Sequence, residues 1–99
     1  MSTYTVRGKK PSEALDYDFD FGTRWMPSGD SLPSSTSTSL VTAETGITLG
    51  TKSHPGSNVV KIYLSGGTAG TDYRVTCVIT TAQGRIKEAN MVVPVRNDY

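Results

Sequence analysis

Residues 59–95, VVKIYLSGGTAGTDYRVTCVITTAQGRIKEANMVVPV, contain three runs in which apolar and polar residues alternate. A period of two places alternate side chains on opposite faces of a β-strand, so one face of each run is expected in a core. Two segments that contain glycine separate the runs, residues 65–71 and residues 82–85. Glycine adopts the backbone angles that tight turns require. The stretch therefore predicts three consecutive strands joined by turns.

The alternation also predicts which side chains of these three strands are buried. They are Val60, Ile62 and Leu64 on the first strand, Tyr73, Val75, Cys77 and Ile79 on the second, and Ala89, Met91, Val93 and Val95 on the third. Such strands are typical of the second half of a sandwich of about seven strands. The predicted fold class is all-β: an immunoglobulin-like or fibronectin-III-like antiparallel β-sandwich with an extended N-terminal arm. Folds of this kind form binding surfaces more often than active sites.

The N-terminal half adds one strong strand pattern and several weaker ones. Residues 14–21 alternate between an apolar face and an acidic face. The apolar face has Leu15, Tyr17, Phe19 and Phe21, and the acidic face has Asp16, Asp18 and Asp20. Residues 22–30 are predicted as a connection, and the serine- and threonine-rich residues 31–40 as a strand anchored by Leu32 and Leu40. A short strand at residues 46–49 and a loop at residues 50–57 follow. No helix is predicted.

The 99 residues fit one domain with short extensions. The predicted organisation is an N-terminal arm at residues 1–13, the sandwich at residues 14–96 and a C-terminal tail at residues 97–99. Gly8 and Pro11 disfavour a long strand in the arm, although the β-prone residues of the arm could pair with a sheet edge. Two alternatives stay open: docking on another subunit through Tyr4, Val6 and Arg7, or pairing with the chain's own sheet.

Composition and charge exclude several classes of protein. The net charge is +1 and the charged residues are interspersed, so generic binding to nucleic acid or to a membrane surface is not expected. No stretch approaches the ~20 consecutive apolar residues of a membrane-spanning helix. The first residues also lack the apolar core of a signal peptide. Because Cys77 is the only cysteine, no intrachain disulfide is possible. We expect the small side chain of Cys77 to be buried in the core.

Three patterns that invite a chemical function fail their spacing tests. An EF-hand that began at Asp16 would need glycine at its sixth position and glutamate at its twelfth, where the chain has Phe21 and Pro27. The glycine-rich residues 66–71 lack the lysine and the following helix of a phosphate-binding loop. The only histidine, His54, has no serine singled out as its partner. The sequence therefore predicts neither an enzyme nor a protein that needs a metal or a cofactor.

Two aromatic residues have specific interpretations. Tyr73 opens a strand directly after a corner that contains glycine, which is typical of the tyrosine corner of such sandwiches. We therefore expect Tyr73 to be structural, with its ring in the core and its hydroxyl on the preceding connection. Trp25, followed by Met26, lies in a predicted connection. This pair is either a contact with a partner, where tryptophan is common, or a cap over the core.

Several motifs resemble the small tailed-phage virion proteins termed fibre–tail adaptors. The resemblance covers about 85 residues. In the second half of the chain it is carried by residues 64–71, 79–82, 84–85 and 94–96, with Tyr73, Val75 and Thr76. In the first half it is carried by residues 15–17, 19–20 and 29–32, with Trp25. It implies a non-enzymatic virion component that bridges a fibre and a tail or neck ring. The serine-rich residues 34–39 depart from the family pattern, which more often has a strand tryptophan there.

Three functions are compared on this basis. The favoured one is a fibre–tail adaptor, present in several copies around a symmetric tail, bound to other virion proteins and assembled in the cytoplasm of the bacterial host. The second is a capsid decoration or cement protein, which would bind capsid subunits. The third, from another class, is a stand-alone module that binds carbohydrate or protein.

Overall fold

The computed structural model describes residues 2–99, and within them seven β-strands and two short helical turns. The strands are β1 (Ser2–Thr5), β2 (Ala14–Asp20), β3 (Ser39–Ala43), β4 (Ile47–Gly56), β5 (Val59–Gly66), β6 (Thr71–Thr80) and β7 (Ile86–Val95). The helix α1 spans Phe21–Arg24, and a 3₁₀ turn spans Thr36–Thr38. The predicted all-β class is confirmed.

The strands of residues 2–99 form two sheets. The larger has the order β1-β7-β6-β3 and the smaller has the order β2-β5-β4. Neighbours are antiparallel, except that β1 runs parallel to β7. With β1 set aside, β7-β6-β3 and β2-β5-β4 follow the strand order that immunoglobulin domains use in their two sheets. This order supports the immunoglobulin-like topology, which stays a prediction.

The core lies between the two sheets. Every residue that the alternation of β5, β6 and β7 assigned to an inner face is buried, and most of them have no exposed surface. Tyr17, Phe19 and Phe21 add the aromatic face of β2 to the same cluster. Apolar burial of this kind is the main favourable contribution to folding, at roughly 25 cal/mol per Å².

The predicted strand at residues 31–40 was wrong except at its last two residues. Residues 31–38 form a connection with a 3₁₀ turn, and β3 begins only at Ser39. The carbonyl of Ser35 accepts hydrogen bonds from the backbone and the hydroxyl of Thr38, at 3.2 and 2.8 Å. Local bonds of this kind from serine and threonine compete with the strand conformation.

The predicted loop at residues 50–57 was also wrong, because β4 continues to Gly56 as an edge strand. Its pairing with β5 has two irregularities, one between Leu49 and Lys52 and one between Ser53 and Gly56. Proline is tolerated at an edge, so Pro55 does not end the strand. Ser57 and Asn58 both have positive φ, 56° and 62°, as a two-residue hairpin turn requires.

The single turn of α1 lies in the predicted connection at residues 22–30. The Asp20 carboxylate accepts hydrogen bonds from the backbone and the hydroxyl of Thr23, at 3.1 and 2.6 Å. Aspartate is among the best residues at a helix N-cap. Four residues are too few for a periodic pattern to be recognised.

The N-terminal arm extends the larger sheet of its own chain. After β1, the backbone of Val6 donates to Val92 at 3.0 Å and that of Lys9 donates to Pro94 at 3.1 Å. The structure thus has the arm on its own sheet edge, which is the second of the two alternatives that the sequence left open.

The molecule measures 43 × 21 × 20 Å.

Candidate functional site

The two residues that were expected to be structural lie inside the sandwich. The Tyr73 hydroxyl accepts a hydrogen bond from the backbone of Thr68 at 2.8 Å, while its ring is buried. This bond from Thr68 lowers the pKa of Tyr73 because it favours the ionised oxygen. Cys77 is fully buried, and burial raises the pKa of its thiol to about 12. The thiol is therefore protonated at neutral pH.

The structure places Trp25 and Met26 against the edge of the core. Both side chains are partly buried and pack on the core cluster. The Lys87 ammonium lies 5.4 Å from the centre of the Trp25 ring, within the range of a cation–π contact. A cavity of only about 10 Å³ separates Trp25 from Phe19 and its neighbours, so the indole closes this part of the sandwich.

The predicted contacts of the arm differ in their accessibility. Val6 is partly buried against the core of its own chain, while Arg7 is exposed. The side chain of Tyr4 lies outside the described part of the structure, although its backbone pairs with Met91 in the register of β1 and β7. Of these three residues, Arg7 has the clearest access to a partner.

The clearest unpartnered edge of a sheet is that of β2. It pairs with β5 on one side, and no strand of residues 2–99 lies on its other side. The backbone N–H of Phe21 donates to Asn58 and so faces the β5 side. Because consecutive residues of a strand face opposite sides, the backbone groups of Asp16 and Asp18 point away from β5. We call this the β2 edge, meaning the open side of residues 14–18.

The outer face of the β2 edge is acidic. The Lys61 ammonium lies 2.9 Å from a carboxylate oxygen of Asp16 and 3.1 Å from one of Asp18, and both aspartate side chains are about half exposed. The hydrogen bond from Lys61 lowers the pKa of Asp16, and the bonds to both carboxylates raise the pKa of Lys61. Lys61 thus bridges the two carboxylates across the paired strands β2 and β5.

The inner side of the β2 edge borders an open groove of about 370 Å³. The groove is lined by Arg7, Leu15, Asp16, Tyr17 and Asp18. The Tyr17 hydroxyl is buried and has no hydrogen-bond partner among the described residues. Burial raises the pKa of Tyr17, as does the nearby charge of Glu13. A buried polar atom without a partner is uncommon in a protein interior and requires a specific explanation.

The sequence analysis missed two charged residues that are held by several hydrogen bonds within the fold. Lys9 is fully buried, and its ammonium donates to the carbonyls of Lys10 and Gly66 at 2.6 and 2.5 Å. Burial lowers the pKa of Lys9, while Glu13 opposes this shift. Asp30 accepts from the backbone of Ser31 and Gln83 and forms an ion pair with Arg85 at 2.8 Å. Neither residue belongs to a periodic pattern, so only long-range contacts reveal them.

The structure does give His54 a serine partner. Its Nε2 lies 2.8 Å from the hydroxyl of Ser39, and its Nδ1 lies 2.8 Å from the carbonyl of Pro33. That carbonyl can only accept, so Nδ1 carries a proton and in the neutral ring Nε2 accepts from Ser39. Ser39 is buried, and both ring nitrogens of His54 bond to groups other than a carboxylate, unlike in a serine hydrolase. The contact joins the residue 31–39 segment to β4.

Residues 2–99 contain no group of three or more histidine, cysteine or acidic side chains arranged to hold a metal ion. Over the same residues, no helix has both the length and the apolar character to cross a membrane. The groove beside β2 combines charged side chains with Leu15 and Tyr17, which is a mixed surface suited to contact with another protein.

Comparison with known proteins agrees with this assessment. None of the curated proteins compared matches the chain. A family model described as podophage GP4 fiber-tail adaptor protein gp77 matches residues 9–94, which include the buried Lys9 and all of β2 to β6. Because this match spans most of the 99 residues, the chain belongs to the podophage GP4 fiber-tail adaptor family and has a structural role in the virion.

Proposed function

We propose that the protein is a non-enzymatic link between a fibre and the tail or neck of a podophage particle. The observation that carries this proposal is the family match over residues 9–94, since it covers the folded sandwich and not a short motif. Several copies surround the symmetric tail, and they assemble in the cytoplasm of the host. No cofactor or nucleic acid takes part.

A link needs two separate binding surfaces, and the sandwich offers two. One is the β2 edge of the smaller sheet. The other is the outer face of the larger sheet, where Leu40 is 64% exposed and Ile86 is 73% exposed. Leu40 pairs directly with Val78 in the register of β3 and β6, so these two apolar side chains lie side by side on this face. Exposed apolar area of this kind is typical of interaction sites.

The individual residues have unequal parts in this proposal. Arg7 and Trp25 both lie beside β2, and we propose them as contacts at its edge. Tyr4, Val6 and Met26 flank these positions. Val6 and Met26 pack partly on the core, so they contribute less exposed surface. Tyr73 and Cys77 stabilise the sandwich that carries these surfaces.

Particles made without the protein test the proposed link. We expect them to have filled heads and tails but to lack fibres, as measured by electron microscopy and by quantitative mass spectrometry of purified particles. Wild-type protein supplied from a plasmid restores the fibres. Fibres at wild-type number in the absence of the protein would contradict the proposal.

The copy number separates the adaptor from the capsid decoration protein. A ring on a tail accommodates tens of copies or fewer, whereas a protein that decorates the capsid is present in hundreds. Quantification against a head protein of known copy number gives this value. The family description favours the tail, and hundreds of copies per particle would instead support the decoration role.

A further inference from the structure

We propose that Tyr99 is a latch that keeps the N-terminal arm on the edge of its own sheet. The ring of Tyr99 closes over Gly8 of the arm, so residues 2–9 can leave β7 only after residues 97–99 have moved away. The arm then has two states, the closed one of the structure and an open one in which the edge of β7 is exposed. The latch does not depend on the proposed link between fibre and tail.

The first argument is the close contact between Gly8 and Tyr99. A Cβ atom on residue 8 would overlap Cε2 of the Tyr99 ring and would lie 2.6 Å from its Cζ, so the ring lies directly on the backbone of the arm. The same Cβ would lie 2.5 Å from the carbonyl oxygen of Pro94 on β7. The backbone of the arm is therefore in contact with both β7 and the ring, and only glycine allows so close an approach on both.

The second argument is the anchor from which the tail continues over the arm. The Arg96 guanidinium lies 2.7 Å from a carboxylate oxygen of Asp72 and donates to the carbonyl of Thr71 at 3.3 Å. The backbone of Arg96 donates to the Lys9 carbonyl at 3.0 Å. Arg96 is thus fixed both to β6 and to the arm, and residues 97–99 are the part of the tail that can move.

The ring contact is what places these last residues over the arm. Within residues 2–99, neither a hydrogen bond nor an ion pair involves residues 97–99. Their position therefore depends on the packing of Tyr99 on Gly8. Because packing of a single ring is reversible, the latch can open without the loss of any hydrogen bond of the sandwich.

The third argument is the difference in exposure between the two side chains that hold the arm. Lys9 is fully buried, and its ammonium donates to the carbonyls of Lys10 and Gly66. It can leave this site only after the arm has opened. Tyr99 is 54% exposed, so it lies at the surface of the molecule. Tyr99 is therefore the fastening that opens first, and Lys9 is the one that opens second.

The contacts of the arm allow it to open as a local event. After β1, three backbone hydrogen bonds hold it, from Val6 to Val92, from Lys9 to Pro94 and from Arg96 to Lys9. Proteins open locally at free energies below that of global unfolding, and terminal segments are among the first to open. Loss of the ring weakens the closed arm and leaves the two sheets paired, so we expect the arm to open more often in a sandwich that stays folded.

Amide hydrogen exchange, measured residue by residue by nuclear magnetic resonance on the full chain, tests the latch. In the Tyr99→Ala variant we expect the amides of Val6 and Lys9 to exchange about tenfold faster than in the wild type, a factor that corresponds to ~1.4 kcal/mol. In both proteins these rates should depend little on urea below the unfolding transition, because opening of the arm exposes little surface. The amide of Val75, buried on β6, should instead follow the steep urea dependence of global unfolding.

Two variants of the tail are matched controls. Tyr99→Phe keeps the ring on Gly8 and removes only the hydroxyl, and Asp98→Ala changes the exposed residue beside Tyr99. In both, Val6 and Lys9 should exchange at the wild-type rate. Thermal unfolding shows that each variant is folded.

Three results would overturn the proposal. The first is a folded Tyr99→Ala variant in which Val6 and Lys9 exchange at the wild-type rate, because the ring would then not hold the arm. The second is the same acceleration in Tyr99→Phe, in which the ring is still present. The third is a wild type in which Val6 and Lys9 have the same urea dependence as Val75, because the arm would then open only when the whole sandwich unfolds.

Discussion

Tyr73 combines two stabilising contacts in one side chain, and they can be separated by mutation. Its ring lies against Gly46 and Gly67, which have no side chain to displace it, and its hydroxyl accepts from Thr68. We expect Tyr73→Phe to cost about 0.5–1.5 kcal/mol, the value of one hydrogen bond. Tyr73→Ala should cost about 3–5 kcal/mol because it also empties a core site.

Chemical denaturation with wild type and both variants measures these two losses. Tyr63, which is 44% exposed on β5, provides the matched control, since Tyr63→Phe should change the unfolding free energy little. Equal losses for Tyr73→Phe and Tyr73→Ala would show that the ring contributes nothing. An unchanged midpoint for Tyr73→Ala would contradict the tyrosine corner altogether.

Asp30 makes the stability of the protein depend on pH in the acid range. Burial disfavours its ionised form, but hydrogen bonds from Thr81, Arg85, Ser31 and Gln83 outweigh this effect and lower its pKa from 3.8 to about 2. A carboxylate with a lowered pKa in the folded state stabilises the fold above the unfolded pKa. This stabilisation is lost as the pH falls from about 4 through about 2.

The Asp30→Asn variant tests this assignment. It should unfold at a lower temperature than the wild type at pH 6, since it loses the ion pair with Arg85. The difference should shrink as the pH is lowered to about 2, where about half of the wild-type carboxyl is protonated. Thermal unfolding of both proteins between pH 6 and pH 2 gives the comparison, and a difference that stays constant over this range would refute it.

At the scale of the secondary-structure elements, the aspartate face of β2 does not predict calcium binding. The ammonium of Lys61 lies between Asp16 and Asp18, where an ion would have to bind, and Asp20 caps α1. We expect millimolar calcium, added after treatment with a chelator, to leave the melting temperature unchanged. A rise of several degrees would show that a cation competes with Lys61. Lys61→Met would then be expected to increase the rise.

The elements also show what the sequence could and could not predict. β2, β5, β6 and β7 alternate over seven or more residues, so the pattern located them and the inner residues that are buried. β3 has only five residues next to a serine-rich segment, and β4 has two irregularities and a proline. In the first case local hydrogen bonds within the serine-rich segment displaced the predicted strand, and in the second case pairing with β5 overrode the loop signals.

The candidate site was less predictable than the fold for a similar reason. The exposed aspartates of β2 were evident from alternation, but alternation does not show whether a strand of residues 2–99 lies beside them. None does, because the arm pairs with β7 instead of β2. Pairing of the arm with β7 and pairing of the arm with β2 are both compatible with its β-prone residues. The sequence therefore located the residues of the surface without showing that it is open.

At the scale of the whole molecule, the position of the arm determines which edge is open. Residues 2–9 extend the larger sheet, so no strand of residues 2–99 lies beside β2 on its side away from β5. The exposed side chains of Leu40 and Ile86 belong to β3 and β7 of the larger sheet. An adaptor with this geometry could hold one partner by a sheet face and the other by a sheet edge.

Removing residues 2–10 tests the role of the arm in stability. The truncation deletes β1 and seven further hydrogen bonds: two from the ammonium of Lys9, three between the backbone of residues 6–9 and residues 92–96, and two between Lys10 and Glu13. At about 0.5–1.5 kcal/mol for each bond, we expect the unfolding free energy to fall by roughly 3 kcal/mol or more. That is a large fraction of the 5–15 kcal/mol that is typical of a domain. Asp98→Ala, an exposed position at the other terminus, is the control and should change it by about 0.5 kcal/mol or less. Denaturant melts of the three proteins give the values.

A truncated chain as stable as the full chain would mean that the arm is held only weakly on its own sheet. That result would restore the alternative in which the arm docks on another subunit.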